Sequence, residues 1–340
     1  MHRVHVSSLP WDEQRSPTGK FHSFSRNVSL ALGAIRNVGT WGGGHPFDVQ
    51  VRRIPPGAAV CPFHQHFAQS ELFLVLTGTG LVRTAEARTA VRAGDVFFHP
   101  PGAPHQLTNT GAADLEVLIV ADNPPMDGGY YPDSDKWYLR PPGKVFRLAD
   151  VDYFDGEDTL PAAGDSGYRL KTMATGPVAP FAQRKLHLDS LAWDAWESPG
   201  KKFRGASKEL SIALGAKRNT ATGLGGHPFD LELSRLEAGQ CGCPFHSHAA
   251  QWELFWITSG RGVVRTNAGT HEVAAGDVAL HPPREAHQIT AAADAALEFL
   301  LIADNPPADY WHYPDSGKWG LREPRKFFRL AEADYWDGEE

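Results

Sequence analysis

Cysteine is nearly missing from this 340-residue chain, in which only Cys61, Cys241 and Cys243 occur. An odd count without a paired C-x-x-C knuckle suggests neither a disulfide framework nor a zinc-thiolate site, and the simple expectation is three reduced thiols. Long apolar runs are missing too. The strongest, at 117–121 and 299–303, fall far below the roughly 18 residues that a membrane helix needs. There is no excess of positive charge: 33 Lys and Arg stand against 40 Asp and Glu, for a net charge of −7 and a pI near 6.1. Such a balance offers no basic surface to phosphates and argues against nucleic acid as the main partner. The N-terminus, MHRVHVSSLPWDE, has no charged segment followed by an apolar core, so the expectation is a cytoplasmic protein with no export signal and no membrane contact.

What is present describes a folded, turn-rich chain: 41% hydrophobic and 21% charged residues, with 34 Gly and 26 Pro. Its length favours two domains of roughly 150–170 residues. The 16 histidines carry most of the information. The chain is written twice, at an offset of 182 residues, the distance from His64 to His246 (246 − 64 = 182). CPFHQH at 61–66 matches CPFHSH at 243–248. The same offset relates His5 to His187, Trp11 to Trp193, Phe21 to Phe203, GHPFD at 44–48 to its copy at 226–230, and His105 to His287. It also relates YPDS at 131–134 to 313–316, Trp137 to Trp319, and Asp155-Gly156-Glu157 to Asp337-Gly338-Glu339. The copies run 1–158 and 183–340, and the unmatched 159–182, rich in Ala, Gly and Pro, reads as a linker. Within each copy, short apolar runs such as 72–76, 81–82 and 96–98 are cut by Gly and Pro every several residues. That pattern predicts an all-β barrel or sandwich with little helix.

In a strand, side chains at i and i+2 leave on the same face, so His64-x-His66 sets two imidazoles side by side. Glu71 follows on the same run, and His105 comes from the later segment 94–105. The second copy supplies His246, His248, Glu253 and His287 at identical spacing. An isolated H-x-H is most often a surface pair or a satisfied core pair. Four matching elements at two places favour ligation, and three imidazoles with a carboxylate suit a divalent Mn, Fe, Co, Ni, Cu or Zn, one per domain.

These residues resemble the cupins. Gly57 to Gly78, with His64-x-His66, four residues and Glu71, is similar to the first cupin motif. Gly94, five residues, Pro100-x-Gly102, His105 and Asn109 is similar to the second. The whole resembles a bicupin of the germin and oxalate decarboxylase type. The resemblance implies two tandem double-stranded β-helix (jelly-roll) barrels and a metal, most often Mn or Fe. It implies ligand roles for His64, His66, Glu71 and His105, and for His246, His248, Glu253 and His287. In the second copy Arg284 replaces the motif glycine and Ala291 the asparagine, which bears on the shape of that turn. The tail from YPDS through the DGE segment resembles extensions of bacterial cupins to which no activity attaches.

Such a site leaves two positions on an octahedral ion and a net charge of +1, which suits carboxylates, enediols and hydroxy-ketones. The expected function is a metal-dependent oxidoreductase or lyase, dioxygenase- or decarboxylase-like, acting on a small oxygen-rich molecule. The alternatives are a non-catalytic metal- or sugar-binding or storage bicupin, or a sugar-type isomerase. Gln69, Gln106, Gln251 and Gln288 are candidates to support a ligand or a bound water. His45, His99, His227 and His281 are weighed as acid/base groups against structural ones, and Arg83 and Arg265 as substrate anchors against outward-facing residues. Cys61 and Cys243 read as packed thiols, and Trp137 and Trp319 as pins for the tail. Trp252 and Trp256, in place of Ser70 and Leu74, are expected to shrink the second pocket. Two similar barrels in one chain can mimic a twofold dimer, so the expectation is a monomer with pseudo-twofold symmetry or a homo-oligomer.

Overall fold

A computed structural model describes residues 2–141, 143–149, 151, 178–322 and 325–337. Residues 159–177 of the expected linker, and the landmarks at 155–157 and 338–339, lie outside the described residues. The chain is built of β-strands. Among the described residues its α-helices are the two single turns Val28–Ala31 and Leu210–Ala213, at equivalent places in the two copies.

A seven-stranded sheet begins with Lys185–His187, from the start of the second copy, and continues through strands of the first copy in the order Asp95–His99, Glu71–Thr77, Leu115–Asp122, Phe47–Ile54, His22–Asn27, Asp12–Arg15. A three-stranded sheet is formed by His105–Asn109, Thr79–Thr84 and Arg88–Arg92. In the second copy the equivalent strands join through one long strand, Glu253–Thr266, which continues from the larger sheet into the smaller one. The strands that carry the glutamates pair antiparallel with both neighbours, with Glu71 opposite His99 and Ala121, and Glu253 opposite His281 and Ala303.

Strand alternation explains how each barrel builds a core and a site with the same residues. Along Glu71–Thr77, the side chains of Glu71, Phe73 and Val75 share a face, and Phe73 and Val75 are core residues together with Leu107, two places after His105. Along the second copy, Glu253 is followed on its face by Phe255 and Ile257, and His287 by Ile289 and Ala291. The candidate ligands thus cap an apolar stripe, and burial of the large side chains below them, at about 1.5–3 kcal/mol each, holds the strands in the one register that brings the polar caps together.

The chain folds as two units, Met1–Trp11, Arg26–Val49 and Leu186–Glu340 in one, Asp12–Ser25 and Gln50–Lys185 in the other. The first strand, His2–His5, therefore belongs with the second copy, where it runs antiparallel to Asp277–His281, with His2 opposite Leu280 and His5 opposite Asp277.

Candidate metal centres

In the first copy His64 and His66 come from a short segment beside Asp127–Tyr131, Glu71 opens its strand, and His105 opens another. His64 and His105 exchange backbone hydrogen bonds, the His105 N–H to the His64 carbonyl at 2.8 Å and the reverse at 3.1 Å. Ligand atoms of His64, His66 and Glu71 lie within 4.8 Å of one another, as do those of His246, Glu253 and His287. His105 Nε2 stands 2.8 Å from Glu71 Oε2, and His248 Nε2 3.2 Å from His246 Nε2. The structure therefore brings together all eight residues singled out above, four in each copy.

The hydrogen bonds on the far side of each ring decide what these nitrogens can do. His64 Nδ1 donates to the Pro62 carbonyl at 2.9 Å, His105 Nδ1 to the Ala103 carbonyl at 2.9 Å, and His66 Nδ1 to Asp127 Oδ2 at 2.8 Å. In the second copy His246 Nδ1 donates to the Pro244 carbonyl, His287 Nδ1 to the Glu285 carbonyl, and His248 Nδ1 to Asp309 Oδ2 at 2.7 Å. With every Nδ1 so engaged, all six Nε2 atoms turn lone pairs inward. The Nε2 atoms of His64 and His66 face each other 3.2 Å apart, an arrangement that repels unless a proton or a metal cation lies between them. A cation about 2.1 Å from each nitrogen keeps neighbouring ligand atoms roughly 3–3.4 Å apart, so the residues fit a metal ion.

The electrostatics agree. Burial, with the neighbouring His105 and His66 rings, pushes His64 down to about 3, and burial with His287 does the same to His246. Burial also disfavours a charged His66, but the Glu71 and Asp127 carboxylates outweigh it and raise the group to about 9. Glu71 is held well below the usual carboxylate range in spite of burial, by His66 and by the His105 hydrogen bond. The first cluster thus pairs an uncharged His64 with carboxylates that favour a positive charge at His66, and each copy sets its imidazoles around one carboxylate.

Several supporting residues were not singled out from sequence. Asp127 Oδ1 also accepts the backbone N–H of Phe67, Ala68 and Gln69 at 3.2, 2.9 and 3.2 Å. Asp309 Oδ1 accepts that of Ala250 at 2.8 Å. The signal that could have found them is the repeated Asn-Pro-Pro-x-Asp at 123–127 and 305–309. The tail tyrosines also reach the site, Tyr131 stacking on His64 at 6.1 Å and Tyr313 on His246 at 5.9 Å.

The four glutamines place their amide N–H groups on backbone carbonyls: Gln69 on Asp122, Gln251 on Asp304, Gln106 on Cys61 and Gln288 on Cys243. Arg83 and Arg265 face outward, each in a two-pronged pair with the YPDS aspartate, Asp133 and Asp315, at 2.7–2.8 Å. His99 and His281 lie flat against the candidate ligands His105 and His287 at 3.9 and 4.4 Å. Burial lowers both. His45 and His227 are each pushed down to about 4, chiefly by burial. Cys61 and Cys243 sit beside the His64 and His246 Nδ1 atoms, at 3.5 and 3.7 Å, with burial raising both thiols, Cys61 to about 12. Trp137 is buried against Phe67 and Tyr130, and the half-buried Trp319 packs on Tyr310 and His312.

Arg284 keeps the turn of the glycine it replaces. Its φ is +71° against +79° at Gly102, and the N–H of each donates to the carbonyl of the middle ligand histidine at 2.7 Å. Beside the second centre lie two adjoining cavities of about 390 and 210 Å³, which share Trp196, Glu232, Glu253 and Leu301, the smaller also touching His246 and Cys243. Trp252 and Trp256 line neither; the tryptophan at the pocket is Trp196. Among the described residues no helix is long and apolar enough to cross a membrane.

Comparison with known proteins agrees with this geometry. The cupin domain family matches residues 50–121 and 232–303. A stretch of 68 residues is 37% identical to the oxalate-binding protein of Thermotoga maritima, covering 20% of this chain and 55% of that protein. The auxin-binding protein 1 of Arabidopsis thaliana is 27% identical over 159 residues, 44% of this chain and 71% of that one. The chain spans just over half the length of the Thermotoga protein and of an uncharacterized Methanocaldococcus jannaschii protein, which is 30% identical over 71 residues. Among solved structures, Lactobacillus farciminis oxalate decarboxylase in its formate complex aligns with a TM-score of 0.54 at 18% identity, covering 90% of this chain and 86% of that one. A mutant of Bacillus subtilis oxalate decarboxylase aligns with 0.52 at 17% identity, covering 91% and 78%. Each copy carries one cupin domain. The chain's fold is that of the bicupin jelly rolls.

Proposed function

We propose that the protein is a metal-dependent enzyme that acts on a small carboxylate-bearing or otherwise oxygen-rich molecule by decarboxylase- or dioxygenase-like chemistry. The observation that carries this reading is the tying-off of all six Nδ1 atoms, which aims six Nε2 atoms and two carboxylates at two points. His64, His66, Glu71 and His105 would hold one ion, and His246, His248, Glu253 and His287 the other. A divalent ion bound there supplies Lewis-acid polarisation of a substrate oxygen and, when redox-active, electron transfer with dioxygen.

The remaining work falls to the chain. In the second copy Gln251, Asn219 and the Glu209–Arg218 ion pair present polar groups to the larger cavity, while Phe255, Ile289 and Phe299 make the apolar wall of the smaller one. A polar chamber next to the ligands favours turnover over sealed storage. The relative named as an oxalate-binding protein supports a second reading, capture of a small dicarboxylate without conversion. Loading the protein with manganese or iron and following oxalate, other carboxylates, diketones and sugars with and without oxygen separates the two. Turnover of any of these supports the enzyme. Oxalate binding by a fully loaded protein without product from any substrate supports capture.

A further inference from the structure

The two centres differ through a compensated exchange of side chains beside the middle ligand histidine. On the hairpin that carries Asp127, Gly129 lies directly opposite Tyr138; on the equivalent hairpin of the second copy, Trp311 lies opposite Gly320. The aromatic residue has changed strands and the glycine has changed with it. A Cβ on Gly129 would collide with the Tyr138 ring, and one on Gly320 would come within 2.6 Å of the Trp311 ring, so each glycine is the seat of the facing ring. Both rings meet the middle histidine edge-on, Tyr138 with His66 at 5.9 Å and 80°, Trp311 with His248 at 6.3 Å and 81°. The space is filled alike.

The hydrogen bonding is not alike. The Tyr138 hydroxyl donates to Asp127 Oδ2 at 2.9 Å and lies 2.6 Å from His66 Nδ1, so it closes a triangle with the pair that fixes this ligand. Asp127 then holds His66, Tyr138 and three backbone N–H groups at once. An indole has its N–H donor on the ring and no hydroxyl to offer.

We infer that Tyr138 is a positioning residue that makes the first metal centre chemically distinct from the second: its hydroxyl holds Asp127 against His66, and the Trp311–Gly320 pair withholds that hold from His248. Carboxylates behind a ligand imidazole set its orientation and donor strength, so a further donor on one carboxylate and not the other gives two unequal ions in one chain. The inference rests on the metal-centre reading above but not on any turnover.

Cobalt(II) titration of two single-site full-length proteins tests it, H287A to leave the first centre and H105A to leave the second, with the visible cobalt bands and the dissociation constant as readouts. Tyr138→Phe keeps the ring and removes only the hydroxyl. Added to H287A it is expected to shift the bands and to weaken cobalt binding about three- to tenfold, the worth of one hydrogen bond. Added to H105A it is expected to change nothing. The reciprocal exchange Trp311→Gly with Gly320→Tyr, made in H105A, is expected to move the second centre's bands toward those of the first. Unchanged bands and affinity in H287A carrying Tyr138→Phe, or equal changes at both centres, would overturn the inference while leaving the metal reading intact. Failure of both single-site proteins to bind cobalt would overturn both. If Tyr138→Phe does not fold, the reciprocal exchange decides, and bands that stay put overturn the inference.

Discussion

The positive charge that the first cluster favours is most visible at His66. Its pKa, raised to about 9 against an ordinary 6.5, means that the metal-free protein carries a proton there at neutral pH. The stability this group contributes is complete below about pH 6.5 and is lost as pH rises through 9. A metal ion must displace the same proton. Uptake at the first site is therefore expected to release about one proton at pH 7.5, and the apparent affinity to fall about tenfold per unit as pH drops below 9. Calorimetry in buffers of different ionisation enthalpy checks this, and a binding heat independent of the buffer would contradict it. His64 and Glu71 could be named from spacing alone, because H-x-H and a same-strand carboxylate are local patterns. Asp127 could not: it lies 61 residues from His66, and only the folded hairpin brings the two together.

At the scale of single elements, the alternation of strands carried most of the sequence reading. Glu71, Phe73 and Val75 share a face because the strand has period two, and the second copy repeats this with Glu253, Phe255 and Ile257. The outward course of Arg83 follows from the same rule, whereas its partner Asp133 lies on a turn that periodicity does not describe. Turn shape was the least legible feature. Arg284 suggested an altered turn, yet the hydrogen bond to the His248 carbonyl holds it in the left-handed region, where a side chain is strained. Replacing it, Arg284→Gly, is expected to stabilise the protein by about 0.5–1 kcal/mol, read as a higher denaturation midpoint. A lower midpoint would show that the arginine side chain contributes more than its backbone costs.

Across the whole molecule the repeat was legible from one constant offset, but the pairing of the first strand was not. Equivalent segments do not state which sheet they will join. Residues 2–11 belong with the second copy: Val6 donates its N–H to the Gly276 carbonyl at 2.8 Å and is buried, and the His5 ring lies where a Cβ on Gly276 would stand. Deleting residues 2–11 is thus expected to weaken the second copy first. Cobalt bound to the H105A protein should be lost at lower denaturant after the deletion, whereas cobalt bound to H287A should be lost nearly as before. An equal loss from both would contradict this assignment.

The central claim is that each copy gathers three imidazoles and one carboxylate around one ion. Native mass spectrometry of the loaded and desalted full chain, alongside H105A and the double variant H105A/H287A, tests it most directly. The account predicts two bound ions, one and none; a wild-type chain that retains no ion, or a double variant that keeps two, would contradict it.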